Sequence, residues 1–104
     1  MSNPYMTAPF RQFGAQNVIS ASTTSANATL ARAKDQSVVV SNPISGSVAF
    51  VRFGGAGLTA SSTTGTAVLS GQTRIFSLLE GDTTVAVILD TGTGSVYVSV
   101  GDGI

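Results

Sequence analysis

The sequence predicts an all-β protein. It reads as an antiparallel β-sandwich of about eight short strands over 15–104, preceded by an extended N-terminal arm over 1–14. Three observations point there. Short runs rich in β-branched residues recur, with turn signals between them at the close spacing typical of sandwiches and barrels. No window carries a convincing apolar period of about 3.6 residues, the mark of an amphipathic helix. The polar side chains are mostly hydroxyls, 27 Ser and Thr, and such residues suit an exposed pleated surface.

The first fourteen residues differ from the rest. They hold Pro4 and Pro9, two of the three prolines, which deny a regular helix or central strand. Tyr5, Phe10 and Phe13 follow no period of two, so they read as anchors on an arm rather than as a core face. Each would bury about 150–250 Å² in a groove. A disordered terminus is the alternative, although such tails are usually poor in aromatics.

The strands follow in order. Asn17–Ser20 and Ala28–Ala31 flank the hydroxyl stretch at Ser22–Ser25. Ser37–Ser41 is closed by the Asn42-Pro43 turn signal, and Val48–Phe53 by Gly54-Gly55-Ala56-Gly57. Val68-Leu69 sits between Gly65 and Gly71. Thr73–Leu78 stops at Glu80-Gly81-Asp82, Thr84–Leu89 at Gly92-Thr93-Gly94, and Ser95–Val100 at Gly101. Alternation assigns the faces. Val96, Val98 and Val100 share a buried side, with Ser95, Tyr97 and Ser99 on a wetter one. Val85, Val87 and Leu89 oppose Ala86 and Ile88, so that strand reads as buried on both sides. Arg52 shares the face of Val48 and Phe50 while carrying a charge. Either it sits at the sheet end and snorkels, or it bonds across an interface.

The bulk numbers narrow the function. One domain is expected from 104 residues. Charged residues make up 10% of the chain, against a usual ~25%, and the net charge is zero. The basic residues Arg11, Arg32, Lys34, Arg52 and Arg74 are scattered, so the cationic footprint of a nucleic-acid binder is missing. A neutral surface lacks the self-repulsion that keeps monomers apart, and a homo-oligomer (dimer or trimer) or larger assembly is expected. There is no cysteine for a disulfide or thiolate zinc site, and synthesis in a reducing cytoplasm is compatible with that. The N-terminus has neither a basic n-region nor an apolar h-region. No apolar run reaches the ~18–20 residues that span a bilayer, so no membrane association is expected.

Catalytic constellations are lacking. With no His and no Cys, no Ser or Thr can be activated in a triad. Glu80 and Asp82 are the closest carboxylate pair, but they sit in a turn where Asp and Gly serve the backbone. Asp82, Asp90 and Asp102 fall near strand ends without calcium-loop spacing. Gly54, Gly55 and Gly57 are followed by a hydroxyl run, not by the helix a phosphate loop requires. Asn27-Ala28-Thr29 matches a glycosylation sequon, taken as coincidence without a secretion signal. The chain is expected to be no enzyme, with no catalytic residues, cofactor or metal.

The run Ser41-Asn42-Pro43 to Phe50-Val51-Arg52-Phe53-Gly54, the segment Thr84–Ile88 and the closing Val96–Ile104 resemble small proteins encoded among the structural genes of tailed phages and prophages. The resemblance covers most of 15–104 and rests chiefly on Phe-Val-Arg-Phe-Gly and Gly-Asp-Gly-Ile. It implies a virion component on the capsid surface, a decoration or cement protein with a jelly-roll-like sandwich. Its partners would be the major capsid protein or other virion proteins. The residues expected at such an interface are Tyr5, Phe10, Arg11, Phe13, Arg52 and Tyr97. The alternative is a tail- or fibre-associated module that recognises a host glycan or another tail protein. Strand order is not readable at this level, so a jelly roll and an immunoglobulin-like sandwich remain equivalent.

Overall fold

Alternating valines drive the architecture. Successive strand residues face opposite sides, so Val96, Val98 and Val100 stack on one face, and all three are buried. A computed structural model describes residues 11–12, 16–30 and 37–102. They form nine strands: β1 (Arg11–Gln12), β2 (Asn17–Ala21), β3 (Ala26–Thr29), β4 (Ser37–Asn42), β5 (Ala49–Gly54), β6 (Thr66–Val68), β7 (Gln72–Ser77), β8 (Thr84–Leu89) and β9 (Gly94–Asp102). There is no helix among the described residues.

The strands make two antiparallel sheets. In the first, β2 lines one edge of β9, β1 continues that edge, and β4 and β7 follow on the other side. The second runs β3-β8-β5-β6. The pairings nest: β2 with β9, β3 with β8, β4 with β7, and β5 with β6. Ladders between β4 and β9 and between β5 and β8 complete the two sheets.

Their inner faces share one core. The first sheet supplies Ile19, Val38, Val40 and Val98; the second supplies Val51, Val85 and Val87. Each such side chain stabilises the fold by roughly 1.5–3 kcal/mol when fully buried. Phe53 of β5 meets Phe76 of β7 with ring centroids 5.4 Å apart at 55°, a favourable tilted contact between the sheets. Arg74 lies in register opposite Val40, on the inner side of edge strand β7. Its charge escapes burial by reaching out: Nη1 donates to the Ala67 carbonyl of β6 at 3.0 Å, and the guanidinium stands 5.3 Å from the Phe76 ring centroid. One arginine thus ties the two sheet edges together.

Asn42 is the buried polar hub. Its Nδ2 donates to the carbonyls of Ser47 (2.9 Å) and Val68 (3.0 Å), and its Oδ1 accepts from the Ile44 amide at 3.2 Å. The residue marks a turn in the sequence, as expected. It also holds β4, the following loop and β6 in one arrangement, satisfying backbone groups that would be costly to bury alone.

Element boundaries shift where pairing overrides composition. The strand expected at Ala28–Ala31 lies at Ala26–Thr29, because its register on β8 starts with Ala26 opposite Val87. The strand expected at Val68-Leu69 is Thr66–Val68, set by Phe50 opposite Ala67. Arg11 and Gln12, which the sequence reading gives to the arm, pair with Asp102 and Gly101 of β9. Tyr5, Phe10 and Phe13 lie outside the described residues.

Candidate functional site

The two outer faces of the sandwich have different fates. On the β3-β8-β5-β6 sheet, the alternation places Asn27, Thr84, Ala86, Phe50, Arg52 and Gly54 outward. The 55–65 loop folds back over them as a flap. Asn27 Nδ2 donates to the Leu58 carbonyl at 3.0 Å, and Arg52 Nη1 to the Thr59 carbonyl at 3.2 Å. The Ala60 amide donates to Ser25 Oγ at 2.9 Å. Beneath this cover Ala86 is 0% exposed, which explains why its strand reads as buried on both sides.

Local chemistry lets the flap lie close. Ser61 to Thr64 satisfy their own backbone: the Ser61 amide donates to Thr64 Oγ1 at 3.1 Å, and the Gly65 amide to the Ser61 carbonyl at 2.9 Å. A Cβ at Gly65 would stand 2.8 Å from Phe50 Cβ and 2.9 Å from its carbonyl carbon. Only glycine permits that approach. At Gly54 a Cβ would meet Leu58 Cδ1 at 3.1 Å, so the absence of a side chain there makes room for leucine.

The outer face of the β2-β9-β4-β7 sheet has no such flap among the described residues. Val18 stands opposite Tyr97, and Tyr97 opposite Ser41, which pairs with Thr73. In the next row Ser99 stands opposite Val39, and Val39 opposite Ile75. Directly opposed residues on one face lie about 4.5–5.5 Å apart and diagonal ones about 7–8 Å. An apolar stripe therefore crosses the four strands from Val18 through Tyr97 and Val39 to Ile75. Val18 is 57% and Ile75 46% exposed. Every other position on this face in these strands is Ser, Thr or Gly, and none is charged. Ser41 Oγ and Thr73 Oγ1 hydrogen-bond each other at 2.6 Å.

Of the residues singled out in the sequence, Tyr97 is on this bare face and Arg52 is on the covered one, bound to the flap. The fold separates them by the thickness of the sandwich. Arg52 is exposed, and its Nη1 donates to the Thr59 carbonyl of its own chain. Arg11 is in β1 at the β9 edge. Two acidic residues hold backbone amides: Asp82 Oδ2 accepts from the Leu79 amide in its own turn at 2.8 Å, and Asp90 Oδ1 from the distant Val48 amide at 2.8 Å. No group of three His, Cys, Asp or Glu is placed to hold a metal among the described residues. Asn27 of the sequon is engaged with the flap. Sequence alternation had found Tyr97 as a wet-face residue, but Val18, Val39 and Ile75 carried no local signal that they would join it. Comparison with protein-family models, curated proteins and solved structures found no match.

Proposed function

We propose that this chain is a jelly roll and a non-enzymatic structural protein of a phage virion. In this reading it is a capsid decoration or cement protein that stabilises the head shell by binding neighbouring capsid subunits. The nested strand order supports the jelly roll. A long hairpin rolled into two sheets pairs its first strand with its last and works inward, as β2 to β9 do here. The outer face of the β2-β9-β4-β7 sheet, uncovered and uncharged among the described residues, carries the functional reading: it offers contact area and hydroxyls. The resemblance of Phe50–Gly54 and Gly101–Ile104 to phage structural proteins supplies the setting. Weak contacts repeated by shell symmetry gain strength through effective concentration.

Adding the purified chain to heads that lack it tests the role. Density at fixed shell positions and greater resistance of the heads to heat are expected. Heads that gain neither end the reading. Deleting Met1–Phe10, which stops short of β1, should leave the sandwich folded and abolish shell binding; unchanged occupancy removes the arm from the mechanism. A second reading follows from Tyr97, an aromatic ring beside hydroxyls on an open face. It makes that face a glycan platform in a tail or fibre. Binding on a glycan array, lost in Tyr97→Ala, would favour it.

A further inference from the structure

We infer that the outer face of the β2-β9-β4-β7 sheet docks a second copy of this chain, face to face. The inference rests on the fold and not on the virion reading, and it is tested with the isolated chain.

Charge selects the occupant. A twofold contact brings each patch against itself, so any charge near the axis meets its own copy. Among the described residues this face carries no charge, and the whole chain is neutral. Self-contact therefore carries no like-charge cost. A nucleic acid or an acidic peptide would find no cation among the described residues of this face to pair with.

Two of the face's hydroxyls also tolerate loss of water. Burying an unpaired hydroxyl costs free energy, whereas one already paired loses less. Ser41 and Thr73 satisfy each other across β4 and β7. Between the hydroxyl rows, the stripe of Val18, Tyr97, Val39 and Ile75 supplies apolar area across the full width of the sheet. Packed sheet faces lie about 10 Å apart, as in one sandwich.

Area sets the strength. Four strands at ~4.8 Å spacing, each about five residues tall, give a face of roughly 300 Å². A stable complex buries about 800 Å² per partner. Pairing of free chains is thus reversible and concentration-dependent, and becomes firm where copies are held close together.

The chain has no cysteine, so a single introduced one can form only an intermolecular disulfide. Under mild oxidation, Ser99→Cys, at the centre of the face, should cross-link at least about tenfold faster than Thr63→Cys on the flap, a free-energy difference of about 1.4 kcal/mol. Equal rates, or no dimer from Ser99→Cys, overturn the proposal. Independently, sedimentation of the unaltered chain at rising concentration should show the mass approaching twice 10.5 kDa. Ile75→Lys, at an exposed position, should weaken this association at least about tenfold with an unchanged circular-dichroism spectrum. A monomer at every concentration, or association unaffected by Ile75→Lys, also overturns it.

Discussion

The two outer faces of this sandwich are built from the same vocabulary of hydroxyls, small residues and β-branched side chains, yet among the described residues one carries a flap and the other does not. The difference lies in one connection. Eleven residues join β5 to β6, enough to fold back over their own sheet, whereas three residues, Leu69–Gly71, join β6 to β7. The long connection carries a leucine for Gly54 to receive, hydroxyls that pair within the loop, and a glycine where Phe50 comes close. The lesson is that a bare sheet face is a matter of supply. Where the described chain provides a flap, the middle of the face, Thr84 and Ala86, is buried; where it provides none, Val18 and Ile75 stay exposed.

Four substitutions test that contrast, from the largest expected effect to the smallest. Asn42→Ala sets the scale, because it breaks the hub both sheets depend on. Two buried carbonyls, of Ser47 and Val68, lose their donor, and urea unfolding should show a loss of about 3 kcal/mol. Gly65→Ala attacks the covered face alone. Its methyl group would overlap Phe50, so the flap must shift. The expected cost is about 2 kcal/mol, with faster amide exchange localised to 55–65 and 84–88. Arg52→Met removes one exposed tie to Thr59 while keeping the aliphatic stem. It should cost no more than about 1 kcal/mol and loosen the flap without changing the core. Ile75→Thr acts on the bare face. It should leave stability within about 0.5 kcal/mol, measured on dilute chain. A large loss there would mean that the bare face is structural, and the contrast between the faces would fail.

Much of this was legible in the chain. The period-two pattern of Val96, Val98 and Val100 marks a strand with one dry side, and the protein places all three in the core. The run Thr84–Leu89 reads as buried on both sides and is a strand between those residues. Such statements depend on near neighbours, which the sequence displays. Arg52 and Tyr97 show where local reading stops. Both stand out as odd residues in their strands, and nothing nearby says that one will be held by a loop and the other left open. Their fates depend on Thr59 and on the strands beside β9. Asn42 is similar. It reads as a turn former, and becomes a buried hub only because Val68, 26 positions away, arrives beside it.

The amino-acid order by itself settled that this protein is a set of short pleated strands, which side of most strands is dry, and where the chain turns. Those properties follow from side-chain shape and alternation over a few bonds. Tertiary structure alone decided that β2 meets β9, that the 55–65 loop folds over one sheet, and that Val18, Tyr97, Val39 and Ile75 form one stripe. Those outcomes join residues tens of positions apart, and each depends on the free energy of closing the whole chain rather than on any local preference.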